Sequence, residues 1–265
     1  MPFALGAMFV AAGGLPSLRV GLGVVFSMVF ARTAAMTFNR LADWEIDKRN
    51  PRTAGRHRLA SRPTAVVVCV VSSLLFIASA GFLNPLCLWL SPVALAVVFF
   101  YSLTKRFTGF AQAFLGLALA VAPTGGWIAV TGSFALPPLV LALTVLLWVA
   151  GFDMIYATQD YEIDCKEGLH SAVVSLGPER AIRWAVGLHA LAFIGLMIFG
   201  VVAGLGWGYF GVLPLIAVAL GWEHRMAALR DPEAINRAFF QANALVGLLF
   251  VAGTLIDALL AARLS

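Results

Sequence analysis

Charged residues are scarce in this sequence of 265 residues, where they make up 12% of the chain against 61% hydrophobic residues. A soluble globular domain carries about 25% charged residues, so the composition excludes an ordinary soluble fold. The mean hydropathy of +0.93 is typical of a protein whose helices lie in a lipid bilayer. Because no stretch is polar enough to form a separate soluble part, we predict a single transmembrane domain over residues 1–265.

Cysteine is rare too, with three residues that show neither a disulfide framework nor the spacing of a metal site. The four histidines likewise show no ligand spacing, and we assign them no function. The net charge of +5 does not indicate a nucleic-acid partner, because the basic residues are concentrated in loops between apolar stretches. Composition therefore predicts the lipid bilayer as a partner and no nucleic acid.

Three long stretches contain no Asp, Glu, Lys or Arg: residues 63–104, 107–152 and 184–222. Each is about twice as long as the ~20 residues with which a helix crosses a bilayer. Turn-forming residues lie near the middle of each stretch, so each is predicted to form a helical hairpin. Continuous apolar runs also argue against a β-barrel, whose strands would alternate between lipid-facing and lumen-facing residues.

A further hairpin over residues 1–40 and a last helix over about 237–262 complete the predicted fold. This is an all-α integral membrane bundle of about nine transmembrane helices, with helical loops that cap the active site. The first helix is apparently truncated, because residues 1–12 are too few to cross about 30 Å of hydrocarbon at 1.5 Å per residue.

The loops that follow the even-numbered helices hold every Lys and Arg except Arg19, Arg32 and Arg263. By the positive-inside rule these loops face the cytoplasm. We therefore predict a multi-pass protein of the inner or plasma membrane, with its N-terminus inside. Asp257 lies near the opposite, outer end of the last helix, where we predict an interfacial and non-catalytic role.

Two of the basic loops also carry most of the acidic residues. One reads N-R-L-A-D-W-E-I-D from position 39, and the other reads Y-A-T-Q-D-Y-E-I-D from position 156. On a helix, residues i and i+4 share a face, so each motif predicts one polar stripe, while Glu45 and Glu162 point away and are solvated. The stripes consist of Asn39, Asp43 and Asp47, and of Tyr156, Asp160 and Asp164.

Two such stripes that face each other across a cleft predict a Mg²⁺ site. Mg²⁺ prefers oxygen ligands and usually binds one or two carboxylates, waters and substrate phosphates. Metal held there would link the acids to a diphosphate and stabilise it as a leaving group. The alternative is that the acids only solvate the loop ends, but two copies at equivalent positions favour a site.

Basic residues on the same side of the membrane have two interpretations. Lys105 and Arg106 end the fourth predicted helix, where they could grip phosphates or could simply anchor the helix at the membrane surface. The same alternatives apply to four arginines in the first acidic loop, for which anchoring is favoured. These are Arg49, Arg52, Arg56 and Arg58.

Two ionisable residues lie within predicted membrane helices, where a charge is costly and indicates function. Arg32 precedes Asn39 by two helical turns, and Asp153 precedes Asp160 by the same distance, so both are expected to face the cavity of the motifs. Arg32 could hold an acceptor carboxylate, and Asp153 could orient or deprotonate a phenol. Alternatively, the two residues form a buried ion pair with no chemical role.

With these motifs the sequence resembles the UbiA superfamily of intramembrane prenyltransferases along nearly its whole length. The two stripes match the superfamily's N-x-x-x-D-x-x-x-D and Y-x-x-x-D-x-x-x-D motifs, and the segment Y-x-x-x-K-R from Tyr101 looks like its basic element. The segments around Arg32 and Asp153 are most similar to the 4-hydroxybenzoate polyprenyltransferase branch, which includes similar proteins of the futalosine route to menaquinone.

The resemblance implies an enzyme that transfers a polyprenyl group from its diphosphate to a ring carbon of 4-hydroxybenzoate or a dihydroxynaphthoate, in quinone biosynthesis. It also implies two Mg²⁺ ions on the acidic motifs. Arg40 and Gln159 depart from the pattern, since many members have Asp and Lys there. The implied diphosphate contacts are Tyr101, Lys105 and Arg106, and the implied catalytic residues are Arg32, Asp153 and Tyr156.

Three rival functions remain at this stage, one of which is a structural or assembly protein whose function would survive alanine at Asp43 or Asp160. The same fold could prenylate another acceptor, such as haem b, a chlorophyllide or a glyceryl lipid. A cation-coupled transporter would also place acids in the membrane, but transporters usually hold their sites near the midplane on broken helices. Here the acids lie at helix ends beside basic residues, as a phosphate site requires.

Overall fold

A computed structural model describes residues 1–49, 55, 61–229 and 231–264. Within these residues the chain is helical and contains no strand. A 3₁₀ turn, Thr158–Asp160, separates the seventh helix from the eighth. The helices are α1 (Pro2–Ala12), α2 (Leu18–Ala42), α3 (Trp44–Arg49), α4 (Arg62–Leu83), α5 (Pro85–Thr104), α6 (Ala111–Thr131), α7 (Leu136–Ala157), α8 (Tyr161–Lys166), α9 (Ala172–Leu176), α10 (Pro178–Val202), α11 (Trp207–Phe210), α12 (Leu213–Ala227) and α13 (Pro232–Leu264).

In the described part of the chain, seven helices are long and apolar enough to cross a membrane: α2, α4, α5, α6, α7, α10 and α13. Two more of the predicted helices are present but shorter. The 11 residues of α1 and the 15 residues of α12 fall below the ~20 that a bilayer requires. The prediction of an all-α membrane bundle is therefore confirmed, and the short first helix is observed where the sequence places it.

The hairpin turns lie at the turn-forming residues of the sequence. Asn84 ends α4 and also caps α5, because its side-chain oxygen accepts a hydrogen bond from the Cys87 amide at 2.9 Å. Its side-chain nitrogen donates to the Ile128 carbonyl of α6 at 2.8 Å, so the same residue ties the turn to a neighbouring helix. Gly132 ends α6 with a φ of 67°, a conformation that glycine adopts without strain.

Close packing around α6 depends on small residues. A Cβ atom on Gly116 would lie 2.4 Å from the Leu146 carbonyl oxygen of α7. A Cβ atom on Gly126 would lie 2.3 Å from the Ala4 carbonyl oxygen of α1. Glycine at these positions lets the helix backbones approach closely, which is a common basis of helix association in membranes. The short helix α1 is thus packed against α6, whose first turns line the cavity described below.

Candidate active site

A cavity of about 220 Å³ lies at the end of the bundle where both acidic motifs are found. Every predicted site residue except Arg32 lines it, so both acidic motifs and the basic element belong to one cavity. The lining residues are Asn39, Asp43, Ile46, Asp47, Tyr101, Ser102, Lys105, Arg106, Ala111, Leu115, Asp153, Tyr156, Ala157, Asp160, Asp164 and Leu169.

The first acidic motif crosses the junction of two helices. Asn39 lies in the last turn of α2, Asp43 follows the end of that helix, and Asp47 belongs to α3. The i to i+4 relation survives the junction, because the Asp43 amide donates to the Asn39 carbonyl at 2.9 Å and the Asp47 amide donates to the Asp43 carbonyl at 2.8 Å. The Asn39 side chain also donates to the Asp43 carboxylate at 3.4 Å.

The second motif has the same design at the end of α7. Tyr156 lies in the last turn of α7, Asp160 ends the 3₁₀ turn and Asp164 belongs to α8. A helix end therefore lies inside each of the two motifs, and Asp160 and Asp164 are buried in the wall of the cavity.

Lys105 places a positive charge among these acids. Burial alone would lower the pKa of Lys105, but the carboxylates around it, those of Asp153 and Asp164 foremost, outweigh burial and raise the pKa above its ordinary value. The ammonium is therefore held in its charged form inside an acidic cavity. Arg106 lines the same cavity and donates a hydrogen bond to the Ala42 carbonyl at the end of α2.

Backbone hydrogen bonds tie the second acidic loop to the basic element. The His170 amide donates to the Lys105 carbonyl at 2.7 Å. The Ala172 amide, at the start of α9, donates to the side-chain oxygen of Gln112 at 3.1 Å. Gln112 is 2% exposed, so this polar contact lies inside the protein. The position of α8 and its Asp164 is thus fixed from both α5 and α6.

The donor set fits Mg²⁺ rather than a metal that the protein encloses by itself. Within the described residues, no three His, Cys, Asp or Glu side chains are grouped closely enough to hold an ion alone. Mg²⁺ does not need such a cage, because water and substrate phosphates complete its six ligands. Burial raises the pKa of the Asp43 carboxyl to about 6, and Lys105 offsets only part of this effect. A divalent cation beside Asp43 would remove that cost of ionisation.

Comparison with known proteins identifies the family of the chain that forms this cavity. The profile of the UbiA prenyltransferase family matches residues 1–252. The chain belongs to the UbiA prenyltransferase family. A 4-hydroxybenzoate octaprenyltransferase of Alkalilimnicola ehrlichii is 33% identical over 257 residues, which cover 96% of this chain and 87% of the relative. The enzyme of the same name from Hydrogenovibrio crunogenus is 29% identical over 260 residues, or 97% and 90% of the two chains.

Solved UbiA structures have the same fold. The apo structure of a UbiA homologue from Aeropyrum pernix K1 matches with a TM-score of 0.85 and 29% identity over 96% of this chain and 97% of the other. A homologue from Archaeoglobus fulgidus, bound to GPP and Mg²⁺, matches with a TM-score of 0.69 and covers 96% of each chain. At 21% identity that second likeness shows the fold alone.

Arg32 of this UbiA-family chain does not face the cavity, although its spacing of two helical turns from Asn39 predicts that it should. Its side chain is exposed on α2 and is not part of the cavity lining, whereas Asp153 lines the cavity as predicted. A seven-residue spacing keeps a residue near one face of its own helix, but it does not determine how far along that helix a cavity extends. No ion pair joins Arg32 to Asp153 among the described side chains, so the ion-pair alternative is wrong.

The loop arginines of this family member separate into two groups. Arg49 is described and forms an ion pair with Glu167, its guanidinium nitrogen lying 2.7 Å from the carboxylate oxygen. The other three, Arg52, Arg56 and Arg58, lie outside the described residues. Anchoring and phosphate binding both remain predictions for these three.

Several residues that support the site escape sequence reasoning. The Phe239 ring of α13 packs on Tyr156 at a centroid distance of 4.4 Å and on Phe152 at 5.3 Å. His189 of α10 bonds the Trp148 carbonyl of α7 at 3.1 Å, so it acts as a clamp between helices. In the sequence, each of these residues is only a polar or aromatic side chain within an apolar helix. That pattern does not identify a contact partner about 40 or more positions away.

Proposed function

We propose that this chain transfers a polyprenyl group from polyprenyl diphosphate to a ring carbon of a hydroxylated aromatic carboxylate and releases diphosphate. The acceptor would be 4-hydroxybenzoate or a dihydroxynaphthoate, in quinone biosynthesis. The observation that carries the proposal is one cavity lined by both acidic motifs, by Lys105 and Arg106, and by Asp153. Relatives named 4-hydroxybenzoate octaprenyltransferase support the choice of acceptor.

Binding of the diphosphate is proposed to use the acids and bases together. Mg²⁺, when bound by the acidic stripes, would neutralise the diphosphate and stabilise it as the leaving group. A UbiA homologue bound to GPP and Mg²⁺ supports this requirement. Lys105 and Arg106 would contact phosphate oxygens as charged donors, and Tyr101 would add a hydroxyl group from the same helix. The proposed metal-binding residues are Asn39, Asp43, Asp47, Asp160 and Asp164.

The chemical step breaks the bond between the allylic carbon and the diphosphate oxygen, and the bonding electrons leave with the diphosphate. A ring carbon ortho to the acceptor hydroxyl then attacks the allylic cation and loses its proton. We assign Asp153 to orient the hydroxyl and to accept a proton, since it lines the cavity from within α7, whereas Asp160 lies beyond the end of that helix. Tyr156 would contact the allylic group from the same wall.

We keep Arg32 as a proposed contact for the acceptor carboxylate although it lies outside the cavity lining. It is an exposed cation two turns from Asn39 on α2, and an intramembrane cation indicates function. If it has this role, Arg32→Ala should raise the KM for the acceptor and leave the KM for the diphosphate unchanged. If the variant has the same KM as the wild type for each substrate, Arg32 does not contact the acceptor.

The cytoplasmic side of the membrane is proposed for the active site. The Lys and Arg residues cluster in the loops at the motif end, which supports that orientation and an N-terminus inside. A membrane-impermeant thiol reagent tests this, because Cys165 is exposed at the motif end. Cys165 should react in inside-out vesicles and remain protected in right-side-out vesicles.

The first experiment is a transfer assay on membranes that contain the full chain, with polyprenyl diphosphate, Mg²⁺ and either 4-hydroxybenzoate or a dihydroxynaphthoate. We expect a prenylated product that disappears with a chelator and returns with added Mg²⁺. The acceptor that reacts identifies the pathway. Folded protein that gives no product with either acceptor would redirect the assay to haem b, chlorophyllide or glyceryl lipid acceptors, and then to ion transport.

A further inference from the structure

The two short helices that carry the last acid of each motif are supported very differently. Helix α8 has a buried Asp164, and backbone bonds from the residues after it reach Lys105 and Gln112. Helix α3 carries Asp47 on six residues and buries none of its side chains. Helices this short are unstable in isolation, so α3 depends on contacts with other parts of the chain for its position.

An ion pair crosses from α3 to the end of α8. The Arg49 guanidinium nitrogen lies 2.7 Å from the Glu167 carboxylate oxygen, and the Arg49 side chain is 61% exposed against 22% for Glu167. The Glu167 amide donates to the Ile163 carbonyl at 2.9 Å, so Glu167 continues the last turn of α8. The pair therefore connects the exposed end of α3 to Glu167, whose backbone is held by its hydrogen bond to the last turn of α8.

Electrostatics gives this pair a role in the cavity. Asp43 and Asp47 line the same cavity as Asp160 and Asp164, and like charges around one cavity repel each other. An attraction between opposite charges on the same two elements acts against this repulsion. Such a pair contributes little to the stability of a whole protein, but here it acts on a helix of six residues, none of which is fully buried.

We propose that Arg49 and Glu167 are a positioning pair that holds α3, and with it Asp47, in place beside the cavity that Asp164 also lines, where both acids would help to hold the metal. The inference rests on the proposed function and adds a residue pair that touches neither the metal nor the reacting atoms. Its loss weakens metal binding and leaves the chemical step intact once metal saturates the site.

A second ion pair on the same helix provides the matched control. Lys48 and Glu45 lie 3.1 Å apart within α3 and are 49% and 67% exposed. They have the same charge types as Arg49 and Glu167, but they do not connect two elements. Exchanging their charges tests whether any change of charge on α3 has the same effect.

The test compares Arg49→Glu, Glu167→Arg, the double exchange and the double exchange at Glu45 and Lys48. Each full-length variant is assayed for the Mg²⁺ concentration that gives half-maximal transfer and for kcat at saturating Mg²⁺. Each single variant should raise the half-maximal concentration about 5-fold, the factor that corresponds to about 1 kcal/mol. The double exchange at 49 and 167 should restore it, and kcat should stay within about 2-fold throughout.

Three outcomes overturn the proposal. Single variants that match the control exchange would show that the pair does nothing. A double exchange as impaired as Arg49→Glu would show that Arg49 binds the diphosphate directly, because glutamate would then face phosphate. A fall in kcat that saturating Mg²⁺ does not restore would indicate general damage to the fold. If a charge reversal prevents folding, Arg49→Gln and Glu167→Gln provide the same comparison without reversed charge.

Hydrogen–deuterium exchange separates this inference from the proposed function. The amides of α3 should exchange faster in each single variant and should recover protection in the double exchange, without any need for turnover. If wild-type protein transfers no prenyl group but exchange follows this pattern, the proposed function fails and the positioning pair stands. If transfer occurs and α3 exchange is equal in all variants, the positioning pair is wrong.

Discussion

The two ends of the bundle use the same residue types for different purposes. At the end opposite the motifs, Asp257 accepts hydrogen bonds from the Gly206 amide with both oxygens, at 2.9 and 3.0 Å, and so caps the turn before α11. At the motif end, Asp43 faces a cavity that it shares with Asp164 and Lys105. A carboxylate bound to backbone amides stabilises the fold, whereas carboxylates around a cavity keep their charge available to a ligand.

The arginines show the same contrast. Arg19, opposite the motifs, donates to the Phe82 carbonyl at 2.6 Å and lies over the Phe82 ring at 4.7 Å, so it joins α2 to α4. Arg106 also bonds a helix-terminal carbonyl, that of Ala42, but it lines the cavity as well. The residue type and even the backbone contact are alike. The difference between Arg19 and Arg106 is therefore access to the cavity, and the proposed phosphate contact of Arg106 depends on it.

The largest expected effect comes from the motif acids. Asp160→Ala or Asp43→Ala should lower prenyl transfer by about 10²–10³-fold or more, because each removes charge from the proposed metal and diphosphate site. Asp160→Asn should be similarly inactive while it preserves side-chain volume. The measurement is initial transfer rate at saturating substrates in protein that elutes as a single folded species.

Glu45→Ala is the matched control, since Glu45 is an exposed acid on the helix that carries Asp47. We expect it to keep most of the wild-type rate. Equal activity in Glu45→Ala and Asp160→Ala would remove the distinction between cavity acids and loop acids. The proposed function would then lose its principal support.

An intermediate effect is expected at Asp257, and it concerns stability rather than rate. Asp257→Ala leaves the Gly206 amide without its acceptor, at a cost of about 1–3 kcal/mol in the free energy of unfolding. Asp257→Asn keeps one acceptor oxygen and should lose less. Thermal unfolding in detergent measures both variants, and the KM for polyprenyl diphosphate should not change. A changed KM would mean that the opposite end is coupled to the site.

The sequence predicts the helices well because membrane helices are specified locally. Length, the absence of charge and turn residues such as Asn84 determine where each helix begins and ends. Nearly all predicted site residues line one cavity for the same reason, because the position of a motif at a helix end is determined by the position of that helix. The roles of these residues in binding and chemistry remain predictions.

The features that the sequence does not predict involve contacts between segments. The first motif breaks at Asp43, where Arg106 bonds the last carbonyl of α2. The second breaks at the 3₁₀ turn, where the Gln159 side chain donates to the Tyr156 carbonyl at 3.3 Å and to Asn236 of α13 at 3.4 Å. Helical periodicity within one segment contains no information about partners in another, so the helix ends inside the motifs could not be predicted.

The smallest expected effect tests whether geometry or charge matters at the end opposite the motifs. Arg19→Lys keeps the positive charge but loses the planar group that stacks on Phe82 and reaches its carbonyl. We expect the free energy of unfolding to fall by about 0.5–1 kcal/mol, the size of an exposed cation–π contact, with transfer activity unchanged. Arg19→Gln provides the comparison without charge. If lysine and glutamine are equally destabilising, planar stacking and the hydrogen bond join α2 to α4. If lysine matches the wild type, the positive charge alone is sufficient. Charge would then matter more than geometry at this end of the bundle, as is proposed for the motif end.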